Sequence, residues 1–146
     1  MFIDPNTLSA DGTAAMSLMG FSNDDKYVAY AINQSGSDWE TMYVMEIATQ
    51  KTLEDKLEWV KFSGASWKGN GFYYSRYDAP VKGKEFSNVN EYHKVYYHKL
   101  GDNQSKDELV YEDKQHPLLY LNAGVTEDEH FLILYTSAGT SGNELF

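Results

Sequence analysis

An internal repeat constrains this chain more than any other feature. Three segments share one pattern: an apolar residue or tryptophan, a polar turn, then an aromatic-rich strand. They are Phe21-Ser22-Asn23-Asp24-Asp25-Lys26-Tyr27-Val28-Ala29-Tyr30, then Trp67-Lys68-Gly69-Asn70-Gly71-Phe72-Tyr73-Tyr74, then Val125-Thr126-Glu127-Asp128-Glu129-His130-Phe131-Leu132-Ile133-Leu134. Tyr27, Phe72 and Phe131 fall at equivalent places, 45 and 59 residues apart. A second pattern follows the first: Val44-Met45-Glu46-Ile47 before Ala48-Thr49 matches Tyr97-His98-Lys99-Leu100 before Gly101-Asp102, and Glu144-Leu145-Phe146 would open a third copy. A unit of roughly 45–50 residues holding about four strands is the signature of a propeller blade.

The rest of the chain reads as short strands between turns. Strands are expected at Tyr27–Ile32, Thr41–Ile47, Trp59–Phe62, Ala65–Trp67, Phe72–Tyr77, Val95–Leu100, Glu108–Glu112 and Phe131–Ser137. The last is nearly continuous in apolar character, which suits a strand buried on both faces. Residues 78–90 carry Pro, Gly, Lys and Ser and read as a long loop that accounts for the greater length of the second unit. Residues 52–60 tempt a helix, but they are too short and poorly periodic for one. The 12 Tyr, 7 Phe and 3 Trp favour sheet over helical bundle. The expected fold is all-β, a partial β-propeller of about two to three blades of four-stranded antiparallel sheet.

One blade cannot bury both of its faces, so neighbours must stack on it. At 146 residues the chain is too short to close a ring of roughly four to eight blades. Met1-Phe2-Ile3-Asp4-Pro5 enters directly into what reads as domain interior, and Phe146 falls inside a strand. The expectation is therefore a piece of a larger propeller, residues 1–146, with blade edges that need covering and that favour self-association.

Composition excludes several functions. A net charge of −10 argues against nucleic acid, which needs clustered Lys and Arg, and it would repel an anionic membrane. No run approaches the roughly 20 apolar residues of a membrane span, and no signal peptide opens the chain. The absence of cysteine removes disulfides, thiolate metal sites and cysteine nucleophiles. It leaves the compartment open between cytoplasm and periplasm.

No catalytic set is legible. Gly139-Thr140-Ser141-Gly142 has the wrong spacing for a nucleophile elbow and no helix after it. His93 and His98 are five apart and so point to opposite faces of a strand; with His116 and His130 they read as surface or core-edge histidines. Asp24-Asp25 and Glu127-Asp128-Glu129 sit at equivalent turns, so solvated hairpin turns explain them better than acid–base chemistry. Asp102-Asn103-Gln104-Ser105 with Asp107-Glu108 lacks the glycine of a calcium loop. Asn33-Gln34-Ser35 and Asn103-Gln104-Ser105 fit glycosylation sequons that arise often by chance. No cofactor or metal is implied.

An ordered set of short matches identifies the family. Phe2-Ile3-Asp4-Pro5-Asn6-Thr7-Leu8-Ser9, Asp11-Gly12-Thr13, Phe21-Ser22, Tyr27-Val28-Ala29-Tyr30 and Ser35-Gly36-Ser37-Asp38-Trp39 stand in succession. Leu57-Glu58-Trp59-Val60-Lys61-Phe62-Ser63, Trp67, Gly71–Tyr77 and His93–Gly101 continue it. Together they resemble the opening propeller blades of the prolyl oligopeptidases. The resemblance implies a serine peptidase in which a seven-bladed propeller caps a C-terminal α/β-hydrolase domain. That domain carries the Ser-Asp-His triad and cleaves short proline-containing peptides after proline. It is absent from this chain, which should be inactive alone.

The resemblance also singles out two residues. Phe62 matches an aromatic that lines the substrate pocket from the propeller side; the alternative is ordinary blade core. Asp38 matches a carboxylate that pairs with a substrate-binding arginine of the hydrolase domain; the alternative is a turn-capping Asp. Trp39 reads as packing. A stand-alone propeller that binds a ligand or protein is the competing reading of the whole chain, and an independent metal enzyme has no ligand set behind it.

Overall fold

The computed structural model describes residues 14–33, 37–85, 89–139 and 143–145. These residues build antiparallel strands in three successive units. The first is β1 (Ala15–Phe21), β2 (Tyr27–Asn33), β3 (Glu40–Glu46) and β4 (Lys51–Val60), each paired with the next. The second is β5 (Ser66–Lys68), β6 (Gly71–Arg76), β7 (Lys94–Lys99) and β8 (Glu108–Glu112), again in sequence order. The third holds β9 (Tyr120–Val125), β10 (Leu132–Ser137) and β11 (Asn143–Leu145). A single pair, Val60 opposite Arg76, joins the first two units into one continuous sheet. Two four-stranded blades and part of a third follow one another, as the repeat predicts.

The repeat is literal at the first strand-to-strand turn. In the first unit Asp25 adopts φ +55 and its amide donates to the Ser22 carbonyl at 3.0 Å; the Tyr27 amide donates to Ser22 Oγ at 2.9 Å, and the Lys26 amide to Asp24 Oδ1 at 3.2 Å. In the third unit Glu129 adopts φ +58 with an amide bond to the Thr126 carbonyl at 2.8 Å; the Phe131 amide donates to Thr126 Oγ1 at 3.0 Å, and the His130 amide to Asp128 Oδ1 at 3.1 Å. Each hydroxyl also donates to the carboxylate, Ser22 Oγ to Asp24 Oδ1 at 2.8 Å and Thr126 Oγ1 to Asp128 Oδ1 at 2.5 Å, and this bond first, then the amide bonds, holds both carboxylates below the usual range. The acidic pairs are therefore turn formers. The second unit uses a two-residue turn instead, with Gly69 at φ +59 between Lys68 and Gly71.

Stacking of blade on blade forms the core. Ala29, Met42, Val44 and Leu57 of the first blade pack on Trp67, Phe72, Tyr74 and Tyr96 of the second. Val28, Tyr30 and Met45 use the first blade's other face. Burial on both faces is why Val28 to Ala31 are all buried in sequence. The inner strands are tied as well. The Ala65 amide donates to the Met19 carbonyl at 3.1 Å, Trp67 Nε1 to the Gly20 carbonyl at 3.0 Å, and Ser66 Oγ to the Ala123 carbonyl at 2.8 Å. A Cβ on Gly20 would meet the Ala65 carbonyl oxygen at 2.3 Å, so only glycine allows this approach.

Several expectations need correction. Residues 51–60 form a ten-residue strand, β4, with Asp55 and Leu57 buried between exposed Glu54, Lys56 and Glu58. The charged Asp55 hides this period of two from a hydrophobicity reading. The expected strand at 59–62 stops at Val60, where the chain bends with Trp59 at φ +62 and Phe62 at φ +52. Strand β10 is mostly half-buried, with Tyr135 exposed, and Phe131 lies outside it at 66% exposure. No second sheet covers it on both faces among the described residues. Strands β1 and β9 fall outside the expected set, and His93 and His98, read as surface or core-edge residues, are fully buried.

His98 ties the outer part of the first blade to the second. Its Nε2 lies 2.8 Å from Asp55 Oδ1 and its Nδ1 2.7 Å from Asp107 Oδ1. Burial opposes charge on the ring, but the two carboxylates outweigh it and hold the histidine up at about 9. Burial also opposes charge on Asp55. His98 and the Gly101 amide, at 2.8 Å, nevertheless keep that carboxylate below its ordinary value. Tyr74 donates to Asp107 Oδ2 at 2.6 Å, which completes the network.

Because the folded value of His98 lies above its ordinary 6.5, its contribution is complete below that pH and is lost as pH rises through about 9. Asp55→Asn should destabilise the chain by about 3 kcal/mol in urea unfolding at pH 6.5 and flatten the alkaline loss of stability above it.

Candidate functional site

One rim of the blades gathers the candidate residues. Strands β1 and β3 begin there and β2 and β4 end there. An open cleft of about 540 Å³ occupies this rim, lined by Ser17, Asn33, Asp38, Glu40, Lys61 and Phe62 among others. The structure thus brings Asp38 and Phe62, 24 residues apart in sequence, to one cleft. Burial raises the Glu40 carboxyl above its ordinary value.

Asp38 extends into solvent, its side chain 82% exposed, with Lys61 Nζ at 3.8 Å. The turn is capped by Ser37, whose Oγ accepts from the Trp39 amide at 3.1 Å. Asp38 is thus left to face the cleft. Trp39 is packing, as expected. It meets Trp59 and Tyr77 edge-on at 5.7 and 5.9 Å and donates from Nε1 to the Glu85 carbonyl at 2.8 Å.

Phe62 is not blade core: it is 52% exposed. Its ring meets Tyr120 edge-on at 4.9 Å. Between Asp38 and Phe62 stands Lys61, almost buried, with Nζ 4.7 Å from the centre of Trp39 and 5.7 Å from that of Phe62. The residues flanking Phe62 are pinned. His93 Nε2 donates to the Lys61 carbonyl at 2.9 Å, and Ser63 Oγ accepts from the Ser75 amide at 2.8 Å. Lys61, His93 and Tyr120 have no sequence signal of their own, because three separate segments supply them.

His93 lies just before β7, stacked on Tyr77 at 4.5 Å and 28°. Its Nδ1 accepts from the Leu121 amide at 3.0 Å. Burial pushes the ring down to about 4, against a smaller opposing pull from the Lys61 carbonyl. The ring is therefore neutral near pH 7, a donor at Nε2 and an acceptor at Nδ1. His116 and His130 are surface residues, each on a nearby aspartate.

Among the described residues no cluster of three or more His, Asp or Glu could hold a metal. Asn103 accepts from the Ser105 amide at 3.0 Å and opens a short helical turn, Gln104–Lys106, in place of a cation loop. Gln34, Ser35 and the Thr140-Ser141-Gly142 stretch lie outside the described residues.

Successive antiparallel blades with a polar and aromatic cleft on one rim define a β-propeller domain. The profile of the prolyl oligopeptidase N-terminal β-propeller domain matches residues 1–146, and the chain belongs to that family. It is 42% identical over 147 residues to a prolyl endopeptidase of Elizabethkingia meningoseptica, covering 100% of this chain and 21% of that one. It is 40% identical over 162 residues to prolyl oligopeptidase A of Amanita bisporigera, covering 99% and 21%. Among solved structures, prolyl oligopeptidase B of Galerina marginata, bound to a 35mer hydrolysis and macrocyclization substrate, superposes with a TM-score of 0.87. The identity is 36%, over 97% of this chain and 21% of that one. The chain thus spans about a fifth of the length of these relatives.

Phe62→Gly and Phe62→Ala both delete the ring, but only glycine accepts a positive φ without strain. The glycine variant should be the more stable by about 1 kcal/mol in urea unfolding.

Proposed function

We propose that this chain is the non-catalytic, substrate-gating part of a serine peptidase that cleaves short peptides after proline. In this reading residues 1–146 belong to a seven-bladed propeller that caps a C-terminal α/β-hydrolase domain of the same protein. The observation that carries it is Phe62. A large apolar ring is half exposed on the rim, yet its backbone is held in a strained conformation between pinned neighbours. Strain at an exposed aromatic is explained by what the ring must contact. In this reading Asp38 receives a guanidinium from the facing domain, which its exposure in the same cleft supports. The relatives named prolyl endopeptidase support the reaction class.

The chain alone should not hydrolyse a proline-containing reporter peptide, whereas the chain joined to its hydrolase domain should. There, Phe62→Ala should raise KM about tenfold with little change in kcat. Asp38→Asn should raise it through the loss of a charge-assisted bond. Hydrolysis by the chain alone, or an unchanged KM in both variants, would sink the reading.

Exposed Leu109, Leu118, Phe131 and Tyr135 also favour self-association of the separate chain. Light scattering at rising concentration tests this, and a constant monomer mass refutes it.

A further inference from the structure

We propose that His93 is a positioning residue that holds Phe62 in place across two blades; the inference rests on Phe62 being a substrate wall. His93 is 1% exposed and spends both ring nitrogens on backbone. Nε2 donates to the Lys61 carbonyl, one residue before Phe62, at 2.9 Å. Nδ1 accepts from the amide of Leu121, one residue after Tyr120, at 3.0 Å. The rings of Phe62 and Tyr120 meet at 4.9 Å. One imidazole therefore sets the distance between the link that leaves β4 and the start of β9, and so the place of the Phe62 ring.

Ser63 Oγ, accepting from the Ser75 amide, and Ser66 Oγ, donating to the Ala123 carbonyl, hold the chain after Phe62, but among the described residues His93 is the side chain that bridges the Lys61 carbonyl to the Leu121 amide. Lys61 leaves β4 just where the ladder ends, so its carbonyl has no strand partner there. Leu121 pairs with Thr136 in β10 on one side of its strand, and its amide points the other way, into His93. The backbone at Phe62 lies in a region that non-glycine residues leave unless their surroundings over-determine it. His93 is the buried side chain that supplies the constraint. Its stacking on Tyr77 fixes the ring plane, so both bonds keep their direction.

The two bonds separate by substitution. His93→Asn keeps an acceptor near Nδ1 and loses the donor to Lys61. His93→Gln carries an amide donor out toward the Nε2 position. In the chain joined to its hydrolase domain, His93→Asn should raise KM for a proline-containing peptide about fivefold with kcat within about twofold, and His93→Gln should restore most of it. Both should lower thermal stability similarly, so stability loss alone does not produce the split. In a Phe62→Ala background His93→Asn should add nothing further to KM.

A fluorine label on the Phe62 ring gives a readout independent of activity. His93→Asn should shift its resonance toward that of a Tyr120→Ala control, and His93→Gln should leave it near the starting position. Where Phe62→Ala raises KM, equal KM effects of the two His93 variants, or a full His93→Asn effect retained without the Phe62 ring, would overturn the inference; an unmoved fluorine resonance would overturn it in any case. If Phe62→Ala itself leaves KM unchanged while the resonance still moves, the wall reading of Phe62 falls and the positioning of its ring by His93 stands.

Discussion

The structure depends on one requirement: a twisted four-stranded sheet with apolar residues on both faces must be covered on both. The first blade meets it on one face with Ala29, Met42, Val44 and Leu57 against the aromatic layer Trp67, Phe72 and Tyr74 of the second, while Val28, Tyr30 and Met45 cluster with their own blade's Met16, Tyr43 and Ile47 on the other. Aliphatic side chains of mixed size on one side fit between aromatic rings on the other, which is how interior packing reaches its density. Trp67 serves the stack twice. Its ring lies beside Phe72 at 4.9 Å, and its Nε1 reaches the Gly20 carbonyl of the neighbouring inner strand. A buried tryptophan needs such a partner.

The polar interior follows from that stacking. Where blades meet away from the inner strands, backbone and side-chain polar groups enter a dry region and must be satisfied. His98 does so as a charged ring between two carboxylates, and His93 as a neutral ring between two backbones. Two histidines five residues apart thus carry opposite charge states, because one faces anions and the other only peptide groups. The same corner that neutralises His93 shapes the rim on which Phe62 stands. Glu129 adds a tie on the opposite side, where its carboxylate accepts from Asn23 and from the Gly69 amide, so that the first turns of three blades meet.

Much of the fold was legible in advance because blades repeat their hydrogen-bonding logic. The turns at Ser22–Lys26 and Thr126–His130 look alike in sequence and are alike in bonding. Most of strand β4 was not legible: Asp55 is buried in it, and a hydrophobic pattern cannot anticipate a carboxylate whose partner lies 43 residues away. The end of that strand was overshot for a related reason. Val60-Lys61-Phe62 reads as strand, but the chain must turn there to reach the next inner strand. In the cleft, Phe62 and Asp38 could be named only through their resemblance to family positions. Lys61 had no role assigned to it, and His93 was read as a surface or core-edge histidine.

By itself the sequence determined the architecture: the spacing of aromatic strands and polar turns admits a stack of blades and little else, since local periodicity and turn chemistry agree along the chain. It also determined the family, through short matches in order. Tertiary structure alone decided the charge of His93 and His98, the exposure of Phe62 and the company of Asp38. Each depends on groups brought together from distant parts of the chain. Burial and electrostatic environment belong to the assembled neighbours and not to the residue type.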